Sequence, residues 1–457
     1  MTSPAERRRR GRAARSRVSR SAHGRWIPAA DRPDPIRLLE HQAEDRLADL
    51  RPIRYGRMAE SAFAFLRGSA AVMTADLAAV PDTGLTVQLC GDAHLLNFGV
   101  YASPERALLF DVNDFDETYP GPFEWDVKRL AASVAVAARD NGHDDDRAHR
   151  AALAAADGYA VAMRRLAEMG ELEVWYARID TADLPATVRG GGRRRQVEAN
   201  LDRARRRTSL QVFGKLTERG EDGRRRIISD PPLIEPVPRD ELRRVGKIFS
   251  DYRATLAEDR RVLLDRFQLV DVARKVVGVG SVGTRCFILL LEGRDERDPL
   301  FLQIKEAGRS VLEDYLPETP TEGRHLTEAP VVHGGRRVVT GQHLMQAASD
   351  IFLGWTTGPG GRHFYGRQLR DMKGAAAVAD MAPADLRAYA DLCGRTLARA
   401  HARSGDRLAV AGYLGSADTF SEAVADFAVQ YADRTVVDHA ALLAAIDAHA
   451  VAARRGI

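Results

Sequence analysis

The stretch "GDAHLLNFGVYASPERALLFDVNDFDE", Gly91–Glu117, sets one His, two Asn and four Asp among residues that otherwise read as buried strand and turn. "LLNFGV" and "ALLFDV" have the apolar texture of strands with covered faces. A carboxylate removed from water without a partner costs several kcal/mol. The acidic residues between those strands therefore call for something positive: an arginine, a proton or a metal ion.

The rest of the chain narrows the choice. Its 457 residues suit two or three domains or one large two-lobed unit, and 45% hydrophobic with 29% charged residues is a globular balance. Lys+Arg 68 against Asp+Glu 64 leaves a formal charge of +4, which excludes an evident nucleic-acid binder as a whole; only the basic N-terminal tail invites that reading. Cys90, Cys286 and Cys393 are isolated, with no CxxC pair and no metal spacing, as expected of a cytoplasmic protein. The longest apolar runs, such as "CFILLL", are too short to span a bilayer, so no membrane partner is expected. Basic residues are almost all arginine; only Lys128, Lys215, Lys247, Lys275, Lys305 and Lys373 are lysine, so a lysine at a special place is informative.

Four segments are expected: a basic mobile tail over 1–30, a mainly helical lobe over 31–260 with both acidic loops, a β-rich lobe over 261–380, and a helical segment over 381–457 packing on the first lobe. "DVKRLAASVAVAARD" has helical spacing, and "GRSVLEDYL" also reads as helix. "RRVVTGQHLM" and "RHFYGRQLRDMKG" read as strands, and "ERGEDGRRRII" as a hairpin. The arginine-rich run over 187–208 is either a solvated face or a grip for an anionic substrate. His94, His343, His363 and His401 lack metal-ligand spacing and read as hydrogen-bonded structural residues.

Three motifs carry chemistry. "GVGSVG", Gly278–Gly283, is a GxGxxG followed by "TRCFILLLEG", a strand rather than a helix. That context fits a glycine loop lying over nucleotide phosphates, with Gly278, Gly280, Ser281 and Gly283 in contact, rather than a dinucleotide fingerprint. Lys305 lies on the next strand, "LFLQIKEA", where a kinase places its phosphate-binding lysine; Glu313 is the expected ion-pair partner, with Glu306 and Asp314 as competitors. In "GDAHLLN", Asp92 and Asn97 match D-x-x-x-x-N, in which Asp accepts the proton of the substrate hydroxyl and Asn ligates Mg²⁺. Asp114 is the expected second metal ligand, with Asp111 and Asp116 as rivals.

"CGDAHLLN", "NDFDE" and "GPFEWDVKRLA" resemble the pattern of the aminoglycoside-phosphotransferase branch of the kinase-like superfamily. The resemblance implies that Asp126 braces the catalytic loop; Cys90 stands where that pattern has a structural His. From about "RYGRMAESAFAFLRG" to "YADRTVVDH", most of its length, the chain is similar to a bacterial family of unknown function, the domain-of-unknown-function 2252 family, whose name implies no activity. The motif order is reversed relative to kinases, since Asp92, Asn97 and Asp114 precede Gly278 and Lys305. The expected fold is thus α+β, a kinase-like two-lobed fold circularly permuted so that the catalytic-loop lobe comes first. The expected function is phosphoryl transfer from Mg·ATP to a hydroxyl on a small molecule or protein. Its rivals are a nucleotide-binding pseudokinase or scaffold without turnover, and nucleotidyl transfer on the same scaffold.

Overall fold

Alanine and other small residues dominate the central helices, and small side chains let helices approach closely. In this computed structural model, which describes all residues except 1, 185–190, 208, 222, 317–332 and 370–371, the Asp145–Leu166 and Pro383–Ser404 helices touch backbone to backbone. A Cβ on Gly394 would sit 2.0 Å from the Ala155 carbonyl oxygen, and one on Gly158 would sit 2.6 Å from that of Asp391. Phe123–Asp140 is buried nearly all round, the mark of a helix inside a core, although it carries Glu124, Asp126, Lys128 and Arg129. It packs against those two and against Thr419–Asp447. Phe123 stacks on Tyr159 and meets Tyr413 and Phe420 edgewise or tilted, joining the helices at one aromatic centre.

The strands are short in the first part of the chain: β1 Thr86–Leu89, β2 Phe98–Ala102, β3 Leu108–Val112 and β4 Tyr119–Pro122. β1 pairs with β4 and β2 with β3, both antiparallel. Next come a small hairpin, β5 Thr217–Arg219 with β6 Arg225–Ile227, and then β7 Ile234–Pro236. β8 Gln268–Lys275, β9 Cys286–Glu292, β10 Pro299–Glu306, β11 Gly354–Thr357 and β12 His363–Gln368 complete a six-stranded antiparallel sheet in the order β11-β12-β10-β9-β8-β7. With 51% helix, 15% strand and antiparallel pairing, the protein is α+β, as the sequence leads one to expect.

Strand alternation decides what each sheet face carries. Leu300, Leu302 and Ile304 of β10 face one side with Leu289 and Leu291, against Tyr252, Leu256 and Leu264. Phe301 faces the other side with Ile288 and Leu290, covered by Val212 and Ile227. Gln303 and Lys305 continue that second face toward the acidic loops. Cover on both faces explains the unbroken "CFILLL".

Three readings need correction. Residues 1–30 are not a free tail. Pro4–Ala13 is a helix with a Ser3–Glu6 capping box, lying against Arg407–Leu414 so closely that a Cβ on Gly11 would meet the Ala409 oxygen at 1.8 Å. Its basic residues are engaged: Arg7 and Arg10 both bind Asp406 at 2.9 Å, while Arg15 and Arg20 cap the carbonyls of Gly412, Tyr413 and Leu414. "RRVVTGQHLM" is helical, within Gly334–Met345, because burial of Val338, Val339 and Met345 on one face overrides the strand preference of β-branched residues. "GRSVLEDYL" contains turns rather than a helix. Of the 187–208 run, Gly191–Arg205 is helical, and 187–190 and 208 fall outside the described residues.

Candidate active site

β1 ends at Leu89, and the chain turns at Gly91 with φ +82°, a left-handed conformation that favours glycine. A Cβ there would also stand 2.2 Å from the Glu117 carbonyl oxygen, so the two acidic loops touch at this point. The Phe123–Asp140 helix then holds the 91–97 loop with one face. Asp126 accepts from the N–H groups of Cys90 at 2.8 Å and Gly91 at 3.1 Å. Arg129 donates from Nε and Nη2 to Asp92 Oδ1 at 2.9 and 2.7 Å. Ser133 Oγ accepts from Leu95 N at 3.1 Å. Positions 126, 129 and 133 share a helix face by spacing alone, a signal in the sequence that the motif reading passed over for Arg129 and Ser133. Behind Asp126, His401 Nε2 lies 3.2 Å from Oδ2 and its Nδ1 meets Tyr159 Oη at 3.0 Å, a fully buried chain that makes His401 structural.

Asp92 keeps Oδ2 free of Arg129, 3.7 Å from His94 Nε2. Burial pushes the His94 imidazole down to about 4, so it is neutral near pH 7 despite the nearby Asp92 charge. Its Nδ1 is buried without a hydrogen-bond partner, so His94, unlike His401, is not a satisfied structural residue. Asn97 closes the loop by donating from Nδ2 to the Asp92 carbonyl at 2.6 Å, and its own carbonyl accepts from Asn113 N at 2.8 Å. This puts Asn97 beside the second acidic loop.

The carboxylates of that loop have distinct tasks. Asp111 is 1% exposed and is bound by Arg399, Tyr101 and Ala347 N, which makes it a structural anchor. Asp116 accepts from Lys305 Nζ, from Ser281 Oγ at 3.2 Å and from Tyr365 Oη at 2.8 Å. Burial opposes its charge, but the Lys305 ammonium together with the Tyr365 hydroxyl and Arg367 outweighs burial and lowers its pKa. Burial likewise works against the Lys305 charge, and Asp116 reverses that, so Lys305 stays protonated. Asp114 accepts from Asp116 N at 3.2 Å, and burial together with the Asp116 charge raises its pKa. Arg367, from β12, reaches the Asn113 carbonyl at 3.2 Å and adds positive charge.

The glycine loop between β8 and β9 lies above these groups. Ser281 Oγ is 2.6 Å from Lys305 Nζ. Arg46 Nη1 holds the carbonyls of Gly280 at 2.7 Å and Val282 at 2.5 Å, Arg57 Nη1 holds that of Gly278 at 2.5 Å, and Leu47 N that of Gly283 at 2.8 Å. Gly278 and Gly283 adopt φ +65° and +92°. Glu313 does not pair with Lys305. It accepts from Ser310 N at 2.8 Å and lies 3.4 Å from Arg309 and from Arg337, so Asp116 takes the partner role expected of it. An open cleft adjoins Asp114's loop, lined by Tyr101, Asn113, Gln342, Asp350, Arg367 and Lys373.

The donor set can be tested against Mg²⁺. That ion binds one or two carboxylates and completes its shell with water and phosphate oxygens. Asp114, a carboxyl strained by its neighbour Asp116, and Asn97 beside it suit such a partial site. Among the described residues no group of three His, Cys, Asp or Glu side chains could hold a metal ion by itself.

No curated protein and no solved structure matches the chain. No helix among the described residues is long and apolar enough to cross a membrane. The model of one family, described as an uncharacterized protein conserved in bacteria (DUF2252), matches residues 46–445, a span that holds both acidic loops, the glycine loop and Lys305; the chain therefore belongs to that bacterial family.

Proposed function

We propose that the protein transfers a phosphoryl group from Mg·ATP to a hydroxyl acceptor, on a kinase-like arrangement whose lobes come in permuted order. One observation carries this reading: Ser281, Lys305 and Asp116 converge, although 165 and 189 residues separate Asp116 from its two partners. A glycine-loop hydroxyl, a strand lysine and a loop carboxylate in contact suit a phosphate cradle, two residues from Asp114. The permuted order is supported by the junction of the Pro383–Ser404 helix with β1, where Ser404 Oγ accepts from Gln88 N at 3.1 Å. That helix thus leads in space into the catalytic loop it follows in sequence.

In this reading the acceptor oxygen attacks the γ-phosphorus, its proton passes to Asp92 Oδ2, and the bond to the β,γ-bridging oxygen breaks to release ADP. Arg129 fixes Asp92 through Oδ1 and leaves Oδ2 for the proton. Lys305 and the backbone of Gly278, Gly280, Ser281 and Gly283 hold the phosphates. Asp114 and Asn97 would hold Mg²⁺, which neutralises phosphate charge when bound.

Thermal unfolding with and without Mg·ATP tests the reading. A one-site ligand at about 100 times Kd adds roughly 2.7 kcal/mol of stability. The expected result is a Mg²⁺-dependent stabilisation of the wild type that Asp114→Asn loses. No response to ATP or GTP would remove the reading. Product analysis separates the chemistries: ADP marks phosphoryl transfer, pyrophosphate marks nucleotidyl transfer, and binding without either product marks a pseudokinase. The last has one contact in its favour, since Lys305 is held by Asp116 and must be released to meet a phosphate.

A further inference from the structure

We infer that Arg67 grips the γ-phosphoryl group of the nucleoside triphosphate, an inference that rests on the phosphoryl-transfer reading. Arg67 lies in the last turn of the Ala62–Gly68 helix. The end of that helix is fixed from two sides. Arg129 Nη2 donates to the Leu66 carbonyl at 2.6 Å, and Arg54 Nη2 donates to that of Gly68 at 2.8 Å. The same Arg129 group holds Asp92. On the other side, a Cβ on Gly280 would come within 3.2 Å of the Arg67 carbonyl oxygen, so the tip of the glycine loop rests on this residue. Arg67 therefore stands between the loop that would cover the phosphates and the carboxylate that would take the proton.

Its neighbours are engaged and it is not. Arg129 binds Asp92, Lys305 binds Asp116, Arg46 and Arg57 bind the loop carbonyls, and Arg54 binds Gly68. Arg46 and Arg54 also keep buried N–H groups without acceptors, but each has spent others on a carbonyl. The Arg67 guanidinium has no hydrogen bond and no ion pair among the described residues, and its Nε is buried without a partner. It rests over the Phe63 ring at 6.0 Å. Burial lowers its pKa, with the Asp92 charge opposing. A buried donor left unsatisfied is costly, and a planar guanidinium fork matches phosphate oxygens. The acceptor that fits between Gly280 and Asp92 is the transferred group itself. Arg67 donates N–H to its equatorial oxygens as charge spreads over them and exchanges no proton.

Calorimetric titration of the full chain with Mg·ATP, Mg·ADP and inorganic tripolyphosphate tests this. Arg67→Gln is expected to weaken Mg·ATP and tripolyphosphate by about ten- to hundredfold, the range of a charge-assisted hydrogen bond. Mg·ADP, which lacks the γ-phosphate, should bind as to wild type, and Arg67→Lys should recover part of the loss. The unfolding midpoint without ligand should move little, because the guanidinium makes no hydrogen bond or ion pair among the described residues and only rests over Phe63. Equal ATP affinity in wild type and Arg67→Gln overturns the inference, as does an equal loss for ADP. A wild type that binds tripolyphosphate through Arg67 but not ATP keeps the anion site and removes the nucleotide reading. Binding of neither removes both.

Discussion

The 91–97 loop and the 276–285 loop meet at one site but are held by opposite means. The first is fixed from inside the helical core: Asp126, Arg129 and Ser133 rise from one buried helix face and take the backbone and side chain of the loop. The second is held by its carbonyls, through the part-buried guanidinium of Arg46, from the turn after the Pro35–Ala43 helix, and the more exposed one of Arg57, from the Arg51–Met58 helix. Buried polar networks with all partners in place rigidify, and breaking one leaves unpaired groups out of water. Exposed or half-exposed contacts exchange with water at small cost. The 91–97 loop is therefore the prebuilt side, and the glycine loop is the side able to adjust, which under the proposed phosphoryl transfer would be the side that meets the nucleotide.

Four variants sharpen or break that contrast. Asp92→Asn should cost the most where activity is read, about 10²–10⁴-fold in rate, the range for a positioned general base. ATP-induced stabilisation should survive in this variant, and full activity would take Asp92 out of the mechanism. Asp126→Ala should cost the most where folding is read, about 3–5 kcal/mol by denaturant unfolding, since it strands the Cys90 and Gly91 N–H groups and His401. A loss below 1 kcal/mol would mean the 91–97 loop is not anchored as described.

Acid sharpens the contrast next. The folded-state value of about 4 for His94 lies below the unfolded value of about 6.5, so the unfolded chain binds more protons between them. Stability from this residue is full above about pH 6.5 and is lost as pH falls toward 4, by about 3 kcal/mol at most. His94→Gln should flatten that part of the pH profile, and an unchanged slope would assign it elsewhere. The smallest effect is expected at the N-terminal helix. Asp406→Asn weakens its half-exposed contacts with Arg7 and Arg10, and should cost about 1 kcal/mol or less, less still at high salt.

The sequence shows the strand–glycine-loop–strand unit and the place of Lys305 because each is read from neighbouring residues; the bracing role of Asp126 comes only from the resemblance of "GPFEWDVKRLA", since its partners Cys90 and Gly91 lie 36 and 35 residues away. The partner of Lys305 was not legible. Asp114 and Asp116 differ by two positions, and only the path of the chain after β3 decides which meets the ammonium. Glu313 was reasonable by spacing, but Ser310 N and two arginines hold it instead. The Arg-rich start reads as a solvated tail because its acceptors, Asp406 and the carbonyls of Gly412–Leu414, lie about 400 residues away. Gly334–Met345 fails for the related reason that a buried face outweighs intrinsic strand preference.

The Lys305–Asp116 pair also sets an order of events during synthesis. The two residues are 189 apart, so the acidic loop leaves the ribosome well before its cation exists. At roughly 5–20 residues per second, that interval is about ten to forty seconds. Asp111 waits longer, since Arg399 is 288 residues further on. During that time neither carboxylate can be sealed in a finished core, and the nascent helical segment must keep them hydrated. The site is thus assembled last, by the arrival of the sheet and the C-terminal helices, and a chain interrupted between Asp116 and Gly278 carries both acidic loops but neither the glycine loop nor Lys305.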